Sequence, residues 1–248
     1  MNTTGSYDLT IIVPIYNERE SMEALEKALS GFLPRSIVST CILMVDDGSS
    51  DGSDELIKKI CERHAHFFFL KLARNTGLSA ALKAGIDACH SRYVGYIDAD
   101  LQTDPNDFNL LLEKIPDYEL VTGIRAKRND SMSKRLQSRL GNGFRRFITK
   151  DTITDTGCPL KVIRTEYAKR IPFFKGMHRF LPALILLQNG RIHELPVHHY
   201  PRAHGESKFN LHNRLWSTLG DCFAYRWMKD RYINYDIDAQ NLEPEMRN

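Results

Sequence analysis

The chain has 248 residues, enough for one large domain or two small ones with a substantial buried core. Hydrophobic residues make up 42% of it and charged residues 26%, which excludes disordered, collagen-like and polytopic membrane proteins. The net charge of +3 is unevenly spread: residues 1–124 hold 11 basic and 19 acidic residues, residues 125–231 hold 22 and 8, and the tail after them holds 1 and 4.

Strand and helix patterns alternate through the first half of the chain. Apolar runs typical of buried strands are found at Leu9–Val13, Ile42–Val45, Phe67–Leu72, Tyr93–Ile97 and Leu120–Thr122. Helical patterns separate them at Glu18–Phe32, around Leu56–Ile60, at Leu78–Ala88 and at Asn106–Lys114. This alternation predicts an α/β fold in which a mostly parallel, twisted sheet is covered by helices on both faces.

The second half of the chain is less regular. Helical patterns are found at Ser131–Ile148, Arg164–Arg170, His178–Leu187 and Leu211–Met228. An edge strand is predicted at Arg191–His198, between the last two of them. No repeat or linker divides the chain. We therefore expect one main domain over residues 1–210, an amphipathic helical region over 211–235 and a disordered acidic tail over 236–248.

Two aspartates, Asp98 and Asp100, directly follow the fourth predicted strand. In an extended segment, side chains at positions i and i+2 point the same way, so the two carboxylates converge on one spot. A divalent cation with oxygen ligands would relieve their repulsion, and Gln102 can add an amide oxygen. A turn with solvated aspartates is the alternative. The position at a strand end, where ligands bind in such sheets, favours the metal site.

A second acidic cluster, Asp46 and Asp47, follows the second predicted strand in the same way. A carboxylate there can accept hydrogen bonds from a nucleobase or from ribose hydroxyls, and Gly48 lets the backbone turn. An ordinary Asp-Gly turn ahead of a helix is the alternative.

The order and spacing of these motifs resemble the nucleotide-sugar half of family 2 glycosyltransferases with the GT-A fold, a Rossmann-like architecture. The matching segments are Pro14–Glu18, Val45–Gly52 and Asp98–Gln102. In the second half, three segments resemble the polyprenyl-phosphate subgroup of this family, which includes dolichol-phosphate mannose synthases. They are Asp155–Leu160, Arg179–Phe180 and Arg202–Phe209. The resemblance implies a metal-dependent, inverting transfer of a sugar from a nucleotide donor to a polyprenyl phosphate.

The resemblance also implies a role for individual residues. The nucleotide pocket would be lined by Pro14, Tyr16, Asn17, Glu18, Asp46, Asp47, Gly48 and Ala99. Asp98 would contact the nucleotide sugar, and Asp98, Asp100 and Gln102 would hold Mg²⁺ or Mn²⁺. The lipid phosphate would be approached by Arg125, Arg139 and Ser207. The leaving diphosphate would be met by Arg202 and Lys208.

The acceptor determines whether a catalytic base is needed. A hydroxyl acceptor needs a base to take its proton. A lipid monophosphate is already ionised near neutral pH, since its second pKa is about 6 by analogy with phosphoserine. The basic second half of the chain suits a phosphate acceptor. Asp155 is the candidate if a base exists, and capping of the Asp-Thr-Gly turn is an equal alternative.

The helical pattern at Leu211–Met228 has an apolar stripe that includes Phe223 and Trp227, with basic residues around it. This arrangement is typical of a helix in the membrane interface; packing on the domain or on a partner subunit is the alternative. No apolar run reaches the ~20 residues of a spanning helix, and the amino terminus lacks a signal-peptide pattern. Five scattered cysteines indicate free thiols. Together these features predict a cytoplasmic protein, peripheral on the cytosolic face of a membrane.

Other functions remain open at this point. The same fold can transfer a sugar to a glycan or another hydroxyl acceptor, and a non-catalytic nucleotide-sugar-binding or membrane-docking protein is a further alternative. Nucleic-acid binding is not expected, because the acidic first half would repel phosphates. The resemblance favours UDP-sugars over GDP-sugars. The sequence does not identify the sugar or decide whether the chain forms a homo-oligomer.

Overall fold

The computed structural model describes residues 6–125, 153–201 and 211–235, together with residues 143, 146, 148, 149 and 238. In the helix that begins at Leu211, side chains are described from residue 220 onward. Most of the helix predicted at Ser131–Ile148 lies outside these residues, as does nearly all of the predicted acidic tail.

Seven strands form one sheet in the described part of the chain. They are β1 (Leu9–Ile15), β2 (Thr40–Asp46), β3 (Phe67–Lys71), β4 (Tyr93–Tyr96), β5 (Leu120–Arg125), β6 (Lys161–Arg164) and β7 (Ile192–Val197). Their order across the sheet is β3-β2-β1-β4-β6-β5-β7. All run parallel except β6, which is antiparallel to both of its neighbours. The predicted α/β fold with a mostly parallel sheet is confirmed.

The described helices pack on both faces of this sheet. They are α1 (Met22–Phe32), α2 (Ser53–Arg63), α3 (Leu78–Ala88), α4 (Phe108–Lys114), α5 (Thr165–Lys169), α6 (Leu181–Leu187) and α7 (Leu211–Lys229). Helices α1, α2 and α4 share a core with Ile11 and Val13 of β1, whereas α3, α5, α6 and α7 share a core with Ile12. Because side chains alternate along a strand, β1 is buried on both faces, which explains its continuous apolar run.

Short turns of 3₁₀ helix shift the starts of three helices. Such turns lie at Arg19–Ser21, Pro105–Asp107 and Met177–Arg179, ahead of α1, α4 and α6. These helices therefore begin later than their sequence patterns predicted. Among the described helices, none combines the length and the apolar character that crossing a bilayer requires.

Strand β6 is an element that the sequence patterns missed. It has only four residues and a charged residue at each end, Lys161 and Arg164, so its apolar run is too short to predict a strand. It lies between β4 and β5, with Lys161 in register with Tyr96 on one side and Thr122 on the other. Because β6 is antiparallel, Lys161 lies at the edge of the sheet where the parallel strands end.

Strand β1 runs through Pro14, where the sequence pattern predicted its end. The carbonyl of Ile12 accepts a hydrogen bond from Ile97 on the β4 side. Because the backbone of a strand repeats every two residues, the nitrogen of Pro14 also faces β4. The pairing of β1 with β4 has already ended there, since its last pair is Ile12 with Tyr96. The missing N–H therefore removes no bond from the sheet. The next residues enter the loops at the carboxyl edge.

Candidate active site

A cleft of about 900 Å³ opens at the edge of the sheet where the parallel strands end. Its described lining comes from the ends of β1 and β4, the loop between β3 and α3, the first turns of α3 and the segment after α5. Seven residues of the predicted site line it: Pro14, Tyr16, Glu18, Asp47, Asp98, Ala99 and Asp100. The motifs of the first half thus meet in one place.

Hydrogen bonds connect the loops that follow β1 and β2. The Asn17 N–H donates to Ser49 Oγ at 2.9 Å, and Asn17 Oδ1 accepts from the Ser50 N–H at 2.8 Å. Asn17 has φ of 52°, a left-handed conformation that is uncommon outside glycine. Its side chain therefore joins two loops, while the neighbouring Tyr16 and Glu18 line the cleft.

Asp47 holds the loop between β3 and α3. Its Oδ1 accepts from the Thr76 N–H at 2.8 Å, and its Oδ2 accepts from the Gly77 N–H at 2.7 Å and from Asn75 Nδ2 at 3.1 Å. The residue is buried. Both carboxylate oxygens therefore support residues 75–77, which form part of the cleft.

Asp46 has a different environment from its neighbour. Its Oδ1 accepts from the Ser49 N–H at 3.0 Å, while its buried Oδ2 has no hydrogen-bond partner in the described structure. Asp46 is also not part of the described cleft lining. Gly48, which follows Asp46 and Asp47, has φ of +71°. A Cβ at this position would lie 2.6 Å from the backbone of Arg74 and Asn75. Only glycine fits this close approach of two loops.

The two aspartates after β4 are held by local hydrogen bonds. Asp98 Oδ1 accepts from the Tyr96 hydroxyl at 2.6 Å, and Asp100 Oδ1 accepts from the Gln102 N–H at 3.2 Å. Leu101, which lies between Asp100 and Gln102, has φ of 52°. Such strain in a bulky residue persists only where the surrounding structure imposes it, and it is concentrated at functional sites.

The charge on Asp98 depends on its neighbours. Burial raises the pKa of Asp98 to about 6, and the Asp100 carboxylate adds to this shift. The hydrogen bond from Tyr96 and the charges of Lys161 and Arg125 act in the opposite direction. A cation between the two aspartates would replace their repulsion with attraction.

The donor set fits a hard divalent cation that is shared with a substrate. Carboxylate oxygens are the ligands that Mg²⁺ and Mn²⁺ prefer. In the described part of the chain, no group of three or more His, Cys, Asp or Glu could hold a metal ion. The two aspartates would therefore supply only part of the coordination, and diphosphate oxygens and water would supply the rest, as is usual for Mg²⁺.

The loop after Gln102 is attached to the chain that leaves β7. The Tyr200 N–H donates to the Gln102 carbonyl at 2.8 Å. Asp107 accepts from the His198 N–H at 2.6 Å and from His198 Nδ1 at 2.9 Å. This hydrogen bond to Asp107 raises the pKa of His198. Gln102, which is not in the described cleft lining, thus has a fixed backbone next to Asp100.

Arg125 and Asp155 form a nearly buried ion pair. Nε and Nη2 of Arg125 donate to the two carboxylate oxygens, each at 2.7 Å, and the side chains are 14% and 9% exposed. The Gly157 N–H also donates to Asp155 Oδ1, at 3.1 Å. In this state the carboxylate caps the turn and holds the arginine. Asp155 could act as a catalytic base only if its hydrogen bonds with Arg125 were broken.

Lys161 is a residue near the aspartates that the sequence did not reveal. It is 1% exposed, and its Nζ donates to the Cys158 carbonyl. Burial lowers the pKa of Lys161, and its charge in turn favours the ionised form of Asp98. Fully buried lysines are rare unless they are paired. The available signal was a charged residue directly before the apolar pair Val162 and Ile163 of β6.

The segment after α5 brings Lys175, His178 and Arg179 to the cleft, and we call residues 173–179 the cationic wall. Ser79, in the first turn of α3, fixes it: its Oγ accepts from the Gly176 N–H at 3.1 Å and lies 2.9 Å from His178 Nδ1. From the sequence, Arg179 entered only through the family resemblance, and Lys175 and His178 were not predicted to be site residues. A local excess of basic residues was the signal.

Four predicted site residues lie outside the described residues: Arg139, Arg202, Ser207 and Lys208. The roles proposed for them at the lipid phosphate and the leaving diphosphate stay predictions.

The sequence model of glycosyl transferase family 2 matches residues 10–171 of this chain. Among curated proteins, the dodecaprenyl-phosphate galacturonate synthase of Rhizobium johnstonii is 32% identical over 212 residues. The undecaprenyl-phosphate 4-deoxy-4-formamido-L-arabinose transferase of Edwardsiella ictaluri is 34% identical over 205 residues. These matches cover 83% and 82% of this chain and 63% of each relative, so the chain spans less than two thirds of their length.

Solved structures share the fold at lower sequence identity. A mannosyltransferase of Pyrobaculum calidifontis in complex with GDP-Man and Mn²⁺ has a TM-score of 0.63 at 17% identity, over 92% of this chain and 65% of its own. The glucosyl-3-phosphoglycerate synthase of Mycobacterium tuberculosis, in complex with Mn²⁺, UDP and glucosyl-3-phosphoglycerate, has a TM-score of 0.69 at 14% identity, over 92% and 81%. At these identities the similarity establishes a common architecture.

Proposed function

The chain belongs to glycosyl transferase family 2, and from this premise we propose that it transfers a sugar from a nucleoside-diphosphate sugar to a polyprenyl phosphate with a divalent cation. The observation that carries the proposal is one cleft that joins Asp98 and Asp100 with the cationic wall. The relatives support the acceptor, since both are named for a polyprenyl phosphate. Because the chain spans 63% of those relatives, activity and substrates are part of the proposal.

The donor would occupy the cleft with its diphosphate between the aspartates and the cationic wall. Asp98 and Asp100 would hold Mg²⁺ or Mn²⁺, which when bound stabilises negative charge on the departing diphosphate. The charges of Lys175 and Arg179 on the cationic wall add to that stabilisation. Tyr16, which is 39% exposed, offers an aromatic surface for the nucleobase. We keep the preference for UDP over GDP as part of the proposal.

The state of Asp155 favours a phosphate acceptor over a hydroxyl acceptor. Both of its oxygens are bound by Arg125, so the carboxylate that the sequence suggested as a base is occupied. An ionised lipid phosphate has no proton to lose and attacks without a base. Positioning by cationic side chains is what such an acceptor needs, and Arg125 remains a candidate for it.

The outer face of α7 provides a surface for the membrane that carries the acceptor. Cys222 and Tyr225 are buried in the domain core, whereas Phe223 and Trp227 are 61% and 62% exposed. Arg231 lies over the Trp227 ring at 5.1 Å and adds positive charge. An aromatic and basic surface of this kind fits an anionic bilayer. Packing on the domain, one of the two alternatives from the sequence, holds for the inner face of α7, and membrane contact is the role that we propose for the outer face.

The cytosolic face is the location that we propose for this contact. All five cysteines are free thiols, as the sequence indicated, and four of them are buried. Free thiols persist in a reducing compartment.

A lipid-extraction assay tests the proposed function. The purified protein is incubated with undecaprenyl phosphate in vesicles, Mn²⁺ and radiolabelled UDP- or GDP-sugars. We expect label in the organic phase that depends on the lipid phosphate and on Mn²⁺. Label that appears only in water-soluble glycans would contradict the proposal and favour a hydroxyl acceptor.

A matched pair of variants connects that activity to the cleft. Asp100→Asn removes one charge from the predicted metal site and should lower the rate about 100-fold or more, as loss of one electrostatic contact to the reacting group does. Asp117→Asn makes the same change at an exposed position outside the described cleft lining and should leave the rate unchanged. Equal rates in the two variants would contradict the metal assignment.

A further inference from the structure

Helix α7 reaches the cationic wall through one carboxylate. Asp221 Oδ2 lies 3.6 Å from Nη1 of Arg179, which lines the cleft. The side chains of Arg179 and Asp221 are 21% and 16% exposed, so solvent screens their attraction only in part. Burial raises the pKa of Asp221, and the charge of Arg179 opposes that shift. The pair lies at the junction between the cleft and α7.

The same carboxylate also packs against the backbone of the cationic wall. A Cβ on Gly176 would lie 2.5 Å from Asp221 Oδ2, so the carboxylate lies directly against the backbone at Gly176. Gly176 has φ of +94°, and its N–H donates to Ser79 Oγ. Asp221 thus touches the cationic wall at two points, and Ser79 connects the cationic wall to α3.

The position of α7 itself is fixed one turn further along. The Tyr225 hydroxyl donates to the Ala183 carbonyl at 3.1 Å, and its ring stacks on Phe180 with centroids 6.1 Å apart. Residues four apart lie on the same side of a helix, so Asp221 and Tyr225 share the inner face of α7. Phe180 directly follows Arg179, so this contact and the ion pair hold the same stretch of chain.

We propose that Asp221 is a positioning residue, which holds the guanidinium of Arg179 in the cleft where it meets the donor's diphosphate. This inference rests on the proposed function, because Arg179 needs an anionic donor in the cleft. A guanidinium that is already oriented by a carboxylate loses less freedom when it binds a phosphate. Because the orienting group belongs to α7, the packing of α7 sets the binding geometry of the donor site.

The experiment measures nucleotide affinity in two matched variants. Asp221→Asn keeps the shape of the side chain against Gly176 but removes its charge, and Asp230→Asn makes the same change at an exposed position just after α7. Dissociation constants for UDP and for GDP, each with Mn²⁺, are measured by calorimetry, and thermal unfolding confirms that both variants are folded. We expect Asp221→Asn to weaken binding about tenfold, as misplacement of a charged contact does. Asp230→Asn should bind as the wild type does.

A double-mutant cycle separates positioning from a general structural effect. In the Arg179→Ala background, Asp221→Asn should cause no further loss, because the residue through which it acts is gone. The same loss in both backgrounds would overturn the inference, as would unchanged affinity in the Asp221→Asn single variant. If the wild type binds neither nucleotide, the proposed function fails together with this inference. Binding by the wild type with no effect of Asp221→Asn overturns this inference alone.

Discussion

Replacement of Asp47 by asparagine tests whether this carboxylate supports the cleft. The wild-type side chain accepts three hydrogen bonds, at 2.7 to 3.1 Å. An asparagine has one acceptor oxygen, so its side chain can keep at most the bonds made by one of the two carboxylate oxygens. The orientation that keeps more bonds places the oxygen near Asn75 and Gly77 and the NH₂ group against the Thr76 N–H, where two donors face each other. A bond to a charged acceptor contributes about 1.5–3 kcal/mol, and the two remaining bonds weaken without the charge, so we expect a loss of about 3 kcal/mol in the free energy of unfolding.

The neighbouring Asp46 provides the control for that experiment. Its one described hydrogen bond, from the Ser49 N–H, survives in Asp46→Asn, and its Oδ2 has no described partner to lose. We expect this variant to change the free energy of unfolding by less than about 1 kcal/mol. Urea unfolding followed by circular dichroism measures both values. Similar stability of the two variants would refute the assignment of Asp47 as the support of residues 75–77.

Three further predictions concern packing, pairing and pH. Gly123→Ala should lower the free energy of unfolding by about 2 kcal/mol, because its Cβ would lie 2.5 Å from Cγ2 of Val197; unchanged urea unfolding would show that the site has spare room. Asp155→Asn should cost about 3 kcal/mol in the same assay, because it removes the charge that both Nε and Nη2 of the nearly buried Arg125 face, and a negligible loss would mean that the Arg125–Asp155 pair contributes little to stability. Asp107 raises the pKa of His198 above 6.5, so the histidine adds stability below pH 6.5 that is lost as pH rises through the folded-state pKa. The stability gap between the wild type and His198→Gln should therefore be larger near pH 6 than near pH 9, and a gap that does not change with pH would contradict this.

The central parallel strands β1, β2 and β4 were predictable because they are buried on both faces. Residues such as Ile11, Ile12 and Val13 must all be apolar there, whichever face they point to. Motifs such as Asp98 and Asp100 were then placed correctly at the carboxyl edge by the fold class alone. Burial on both faces of the sheet and polar motifs at the ends of its strands are both visible in a linear sequence.

Features that depend on contacts between distant segments were not predictable in this way. Strand β6 begins with Lys161, and a lysine is tolerated in a sheet interior only where a carbonyl and nearby carboxylates surround it. The pairing of Arg125 with Asp155 joins residues 30 positions apart. The excess of basic residues in the second half predicted anion binding there, but it did not indicate that Arg179 lines the cleft.

The two adjacent aspartates after β2 show the limit of motif reasoning most clearly. The sequence places Asp46 and Asp47 in one motif and does not show which of the two reaches the cleft. In the structure, Asp47 lines the cleft and supports its loop, while Asp46 is buried with one hydrogen-bond donor. Adjacent residues at a strand end point in different directions, so only the local path of the backbone decides which one reaches the cleft.

Titration of UDP and GDP into the protein, with Mn²⁺ or with EDTA, tests most directly whether the cleft holds a nucleoside diphosphate through a divalent cation. We expect saturable binding of at least one nucleotide with Mn²⁺, at least about tenfold weaker binding in EDTA, and a comparable loss in Asp100→Asn but not in Asp117→Asn. Nucleotide binding of equal strength with and without the cation, or in Asp100→Asn and the wild type, would contradict the proposed donor site.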